Sequence, residues 1–191
     1  MATIALYGGS FNPPHAGHML AAAYVLQAAP VDGLWVLPVF RHALDKALTV
    51  GFDDRVQLCR LAFGWLGDGV QVRDDERGGN GRTLDLVRRL HQVHPGHHFR
   101  LVLGSDILHE RHRWHCFDDL ARLAPPLLLR RGGFDVPDDC PYDVLPISLP
   151  DVRSRDLRTR LAARQSVAGL LPLSVERAIV ASGLYLQAAS L

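Results

Sequence analysis

Thr3-Ile4-Ala5-Leu6-Tyr7-Gly8-Gly9-Ser10-Phe11-Asn12-Pro13-Pro14-His15-Ala16-Gly17-His18 is the stretch that decides the fold. Its first five residues form a short apolar run closed by a glycine pair, which predicts a buried strand ending in a tight turn. After the Pro13-Pro14 breaker, residues 15–29 are alanine-rich and predict a helix. The glycines let the main chain turn sharply and expose amide N–H groups. The following helix points its positive end at the same place, so the three pieces together predict an anion site. His15 and His18 stand three apart at the helix start, on one face. Imidazole N–H groups donate to phosphate oxygens, and that pairing favours the protonated ring. The segment is not a P-loop, because no Gly-Lys-Ser/Thr follows the glycines. It is not the dinucleotide fingerprint either, because proline and histidine fill the glycine positions. A glycine turn before two surface histidines is the plain alternative, but it does not explain Gly-Gly, Pro-Pro and Gly17 in one strand-turn-helix context.

Outward from this segment, strands and helices alternate. Leu34-Trp35-Val36-Leu37 before Pro38 predicts a second strand. Phe52, Val56, Cys59, Phe63 and Leu66 recur at spacings of four and three and mark a helix stripe, with Asp53 and Asp54 suited to its N-terminal dipole. A short strand is expected at 70–72 and a helix lined by Leu84, Val87 and Leu90 from near Thr83. Residues 99–103 predict a strand ending at Gly104, and 127–129 and 144–147 predict two more. Helices are expected to begin near Ser154 and Ser174, each read as an N-cap, with Gly183 stopping the second. Apolar strands with crossover helices predict an α/β fold, a doubly wound parallel sheet covered on both faces. Ligands bind such sheets beyond the carboxyl ends of the strands, and Gly8 and Gly104 point to one edge.

The chain has 191 residues, which suits one domain over 1–191. A net charge of +1 gives no basic field for nucleic acid or an anionic membrane. Cys59, Cys116 and Cys140 form no Cys-x-x-Cys pair, which suits a reducing, cytoplasmic setting. No secretory leader or run of 18 apolar residues is read, so no membrane span is expected.

His15-Ala16-Gly17-His18 resembles the His-x-Gly-His signature of the nucleotidylyltransferase superfamily, and residues 8–18 resemble bacterial nicotinate-mononucleotide adenylyltransferases. The resemblance implies a Rossmann-like fold, a C-terminal helical segment, ATP as donor, nicotinate mononucleotide as acceptor and magnesium carried mainly on ATP phosphates. Further segments resemble the family in order. Arg82-Thr83-Leu84-Asp85-Leu86 matches a segment near the pyridine ribose phosphate. Gly104-Ser105-Asp106 matches the Gly-x-Asp motif that fixes a ribose, and Trp114 a tryptophan that stacks on the pyridine. Leu129-Arg130-Arg131-Gly132 matches a strand ending in Arg-x-Gly, and residues 171–185 the closing tail. The resemblance therefore implies catalytic roles for His15 and His18. It assigns ATP to Gly8, Gly9, Ser10, Phe11, His15, His18, Gly104, Asp106, Ser154 and Arg158, and the acceptor to Lys46, Thr83, Asp85, Ser105, Trp114 and Arg130. Taken singly, Asp106 and Thr83 also read as helix caps and Trp114 as packing.

Three departures stand out. Val152-Arg153-Ser154-Arg155-Asp156-Leu157-Arg158 occupies the place of the family's hydroxyl-rich phosphate segment; Ser154 and Arg158 match, while Arg153 and Arg155 replace hydroxyl residues. After Pro38 only Lys46 matches. Asn12 stands where many members have aspartate. His109, His112 and His115, with His94, His97 and His98, do not form His-Glu-x-x-His, and a dedicated protein metal site is disfavoured. Two rival readings stay open: a sister adenylyltransferase for nicotinamide mononucleotide or phosphopantetheine, and a non-catalytic nucleotide sensor. A homo-oligomer also stays open.

Overall fold

The computed structural model describes residues 1–41 and 48–186. Six strands form one parallel sheet: β1 (Ala2–Gly9), β2 (Gly33–Pro38), β3 (Val70–Val72), β4 (His97–Gly104), β5 (Pro126–Arg131) and β6 (Asp143–Leu149), in the order β3-β2-β1-β4-β5-β6. That is the order of a doubly wound Rossmann sheet, whose direction of winding reverses between β1 and β4. The helices are α1 (Ala16–Ala28), α2 (Phe52–Phe63), α3 (Thr83–Val93), α4 (Ile107–Glu110), α5 (Phe117–Leu123), α6 (Ser154–Ala162) and α7 (Leu173–Ser182).

Strand alternation sorts the core into two layers. Ala5, Leu34, Val36, Val102, Leu127 and Leu129 face one side, where they pack with α1, α2, α6 and α7. Ile4, Leu6, Trp35, Leu37, Leu101 and Leu128 face the other, where they meet α3, Ile107 of α4 and α5. Because both faces are covered, the strands read as continuous apolar runs, and each fully buried leucine contributes roughly 1.5–3 kcal/mol. Pro146 lies within β6, where the ladder steps from the Leu129–Leu145 pair to Arg130–Ser148. An irregularity in an edge strand is where proline is tolerated.

Two helix starts differ from expectation. α6 and α7 open with Arg153 and Pro172 at the N-cap, so Ser154 and Ser174 are already inside their helices. Their hydroxyls reach distant carbonyls instead, Ser154 donating to Pro13 at 3.0 Å and Ser174 to Leu61 at 3.0 Å. Gly183 does stop α7, in the left-handed conformation with φ 70°. α4 starts with Asp106 at its N-cap, as that residue's reading as a helix cap allows, while α5 has no counterpart among the expected elements.

Candidate active site

β1 runs into Gly8-Gly9-Ser10, turns at Phe11 with φ 44°, passes a cis Asn12–Pro13 bond and enters α1 at Ala16. Phe11 is buried, with its ring edge-on to Tyr7, His18 and Phe63. Its side chain therefore belongs to the core, and what it can offer a nucleotide is its main chain. Gly9 is glycine for a reason of space, since a methyl there would stand 3.1 Å from the Phe11 ring.

His15 and His18 come together on the α1 face. Nδ1 of His18 accepts the main-chain N–H of His15 at 3.2 Å, which makes Nε2 the protonated nitrogen of the neutral ring. Nδ1 of His15 is buried and has no hydrogen-bond partner among the described residues. Gly17 is explained by the same ring: a Cβ there would lie 3.2 Å from that nitrogen. Burial, with the Arg131 guanidinium nearby, pushes His15 down to about 4. Burial, then His15 and Arg131, hold His18 well below the ordinary histidine value. Both rings are therefore neutral near pH 7 before a ligand arrives. These surroundings work against the protonated form that pairing with phosphate favours, because burial and the Arg131 charge both disfavour an imidazolium.

The arginine that meets this pair is Arg131. Its Nη1 donates to Asp106 Oδ2 at 2.7 Å, and its stem crosses Gly104, where a Cβ would stand 2.6 Å from Arg131 Cδ. Arg130, expected in the substrate site, carries none of these contacts. Ser105 is turned into the protein. It is fully buried, its hydroxyl donating to the Phe134 carbonyl at 3.1 Å and accepting the Arg131 N–H at 3.0 Å. It braces the turn that presents Asp106.

On the opposite face of the sheet, a cavity of about 240 Å³ opens between the Gly8–Ser10 turn, Val39, the start of α3 at Thr83, and Trp114. Trp114 stands edge-on to Phe117 with ring centroids 6.1 Å apart. Glu76 also lines the cavity; it is 4% exposed, and burial raises its carboxyl to about 7, tempered by Arg89 and augmented by Asp75. Asp85 is not part of this lining: its carboxylate accepts from Asn80 at 2.8 Å.

Ser154 and Arg158 reach the turn between β1 and α1 from α6, Arg158 donating to the Asn12 carbonyl at 2.8 Å and Ser154 to Pro13. Arg153 turns away to Asp151 at 2.8 Å. Lys46 lies outside the described residues. Arg131, bonded to Asp106, and Glu76, in the cavity lining, are positions that the sequence did not single out. Among the described residues no three His, Cys, Asp or Glu side chains assemble for a metal, and no helix is long and apolar enough to cross a membrane.

Residues 6–126 match the Cytidylyltransferase-like family. A "Probable nicotinate-nucleotide adenylyltransferase" of Anaeromyxobacter sp. (strain K) is 38% identical over 187 residues, 95% of this chain and 96% of the relative. One of the same description from Geobacillus thermodenitrificans is 31% identical over 97% of this chain and 87% of its own. Among solved structures, Plasmodium falciparum nicotinic acid mononucleotide adenylyltransferase complexed with NaAD superposes with a TM-score of 0.79 at 20% identity, over 97% and 98% of the two chains.

Proposed function

The chain belongs to the nicotinate-nucleotide adenylyltransferases of the Cytidylyltransferase-like family, and from that premise we propose that it transfers AMP from ATP to nicotinate mononucleotide, releasing pyrophosphate. The observation that carries the reading is the placement of two different sites either side of the Gly8–Ser10 turn. The histidine pair with Arg131 and Asp106 lies towards α1, and the cavity with Trp114 and Thr83 lies towards α3. A donor nucleotide and an acceptor mononucleotide need such a pair of sites meeting at one phosphate turn.

The acceptor phosphate is already an anion, so its oxygen attacks the α-phosphorus without a general base. The bond to the β-phosphate oxygen breaks, and pyrophosphate departs with the electron pair. Catalysis is then positioning and charge stabilisation. His18 offers its Nε2–H to the α-phosphate, and His15 sits beside it to hold the triphosphate. Arg131 and Arg158 supply guanidinium donors for the remaining phosphate charge. Asp106 accepts from a ribose once Arg131 is drawn to phosphate. A divalent ion, magnesium in this reading, would be held mainly by the ATP phosphates, since no cluster of metal-ligating side chains assembles among the described residues, and it would supply charge neutralisation there. The start of α3 faces the acceptor cavity at Thr83, and helix-terminal N–H groups favour an anionic ring substituent, which selects nicotinate over nicotinamide. The three free cysteines agree with a cytoplasmic setting.

Pyrophosphate release from ATP and magnesium, with nicotinate and nicotinamide mononucleotide compared, tests the reading. Strong turnover with the nicotinate form is expected. A folded, ATP-binding protein that turns over neither acceptor would sink it.

A further inference from the structure

Arg55 is a charged residue on the apolar side of α2, and it is 1% exposed. A buried guanidinium is normally matched by a carboxylate. Here, among the described residues, Arg55 forms no ion pair and spends its donors on three main-chain carbonyls. Nη1 donates to Ser10 at 2.8 Å, Nη2 to Val39 at 2.8 Å and Nε to Val50 at 3.2 Å. Its side chain lies over Phe52, with the guanidinium carbon 5.6 Å from the ring centre. The three carbonyls belong to different places in the chain: the phosphate turn after β1, the end of β2 and the lead into α2. Lysine could supply three donors but not a planar fork that spreads them over three fixed oxygens.

The carbonyls held at 2.8 Å are not scattered. Ser10, which the resemblance assigns to ATP, lines the acceptor cavity together with Val39, and the Val39 N–H itself donates to the Gly9 carbonyl at 2.9 Å, so they form one continuous wall on the acceptor side. Arg55 does not line the cavity; it grips the wall from behind. The donor side of the same turn is secured separately, by Arg158 on the Asn12 carbonyl and Ser154 on the Pro13 carbonyl.

We propose that Arg55 is a positioning residue for nucleotidyl transfer, fixing the Ser10–Val39 wall so that the acceptor phosphate meets the donor phosphates held by the histidine pair. Because the two sides of the turn have separate anchors, losing Arg55 loosens the acceptor side and leaves the donor side in place. This rests on the adenylyltransferase reading, and the test separates the two. Wild-type protein is assayed first for pyrophosphate release, and its inactivity would count against that reading alone.

With an active wild type, Arg55→Lys and Arg55→Gln are compared by steady-state kinetics in each substrate and by thermal unfolding. Arg55→Lys keeps the charge and most of the stem, which protects folding. Both variants are expected to lose about tenfold or more in kcat/KM for the acceptor, with the KM for ATP held within about twofold, given the sensitivity of transfer to small displacements. A purely structural role would lower the folded fraction, scaling kcat while leaving both KM values unchanged. That pattern would overturn the proposal, as would wild-type kinetics in both variants. Loss of a cooperative transition in both would also overturn it, by making Arg55 a folding residue first.

Discussion

The rings of His15 and His18 lie stacked, centroids 3.6 Å apart and planes inclined by 26°, while His18 Nδ1 holds the His15 N–H. One contact between the two thus starts α1 and sets the tautomer that leaves the His18 N–H on Nε2. His18→Ala removes that donor together with one cap-type hydrogen bond. Turnover is expected to fall about a hundredfold or more, as for other electrostatic stabilisers. The unfolding free energy should fall by only about 1 kcal/mol, the usual worth of a cap. Pyrophosphate release beside thermal unfolding separates the two effects, and near-normal turnover would remove His18 from the mechanism.

The same burial makes the fold sensitive to acid. His15 sits at about 4 in the folded chain, against 6.5 as its ordinary value. Between those values the unfolded chain binds a proton that the folded chain does not. Stability is therefore full above pH 6.5 and is lost as pH falls towards 4, by up to about 3 kcal/mol for this one group. His18 acts in the same direction. His15→Gln should flatten the slope of urea-unfolding free energy between pH 6.5 and 4.5. An unchanged slope would show that the ring is not desolvated as described.

Arg131 and Asp106 are bound across Gly104, so that glycine can be used to disturb them. Added at Gly104, a methyl would press on Asp106 Oδ1 and stand 2.6 Å from Arg131 Cδ. Gly104→Ala is expected to raise the KM for ATP about tenfold with little loss of stability, because the atoms in the way belong to flexible, partly exposed side chains that can move aside. Arg131→Met should weaken ATP similarly with little loss of stability. The Arg131 side chain is 44% exposed, and an ion pair at such a surface is worth at most about 1 kcal/mol. Equal ATP affinity in Arg131→Met and wild type would count against Arg131 as a phosphate ligand.

The strand-turn-helix around His15 was legible because its signals are local: an apolar run, a glycine pair, a proline pair and an alanine-rich helix. The two-faced sheet followed from strand composition for the same reason. Arg131 was missed although its parity was available, since Leu127, Leu129 and Arg131 share one strand face; which face α1 covers is a tertiary fact. Arg55 lies three residues after Phe52 and beside Val56, so helical period places it inward, and a charge at an inward position is itself a signal. α4 has Asp106 at its N-cap, the plain reading of that residue in the sequence, whereas α5 gave no start signal: it begins after Cys116, a left-handed residue with φ 48° that is no ordinary cap. The resemblance placed Ser105 and Asp85 in the site by motif, but adjacency in a motif does not fix direction. Ser105 points into the protein, and Asp85 accepts from Asn80 in the loop before α3.

Glu76 works on stability in the opposite sense to His15. Its carboxyl stands at about 7 when folded, against 4.5 as its ordinary value. Between those values the folded chain keeps a proton that the unfolded chain has released. Stability is full below pH 4.5 and declines as pH rises through 7, by up to about 3 kcal/mol. Arg89 on α3 opposes the shift and Asp75 on the same loop adds to it. Glu76→Gln should therefore match wild type near pH 4.5 and melt higher than wild type at pH 8. A variant that melts lower at pH 8 would mean that the carboxylate is stabilised by its surroundings.

Trp114 provides a test confined to the acceptor side. It lines the cavity and is backed edge-on by Phe117, while the histidine pair and Asp106 lie beyond the Gly8–Ser10 turn. Trp114→Ala is expected to raise the KM for nicotinate mononucleotide about tenfold, the scale of a lost aromatic contact of 1–1.5 kcal/mol. The KM for ATP should stay near wild type. Fluorescence gives a direct reading, because the other tryptophans are placed differently: Trp35 is buried in β2 and Trp65 is exposed. Titration with nicotinate mononucleotide alone should quench wild-type emission, and Trp114→Phe, which keeps a ring for stacking, should abolish the quench while retaining most activity. Quenching that persists in Trp114→Phe would place the acceptor away from this cavity and leave the donor assignments untouched.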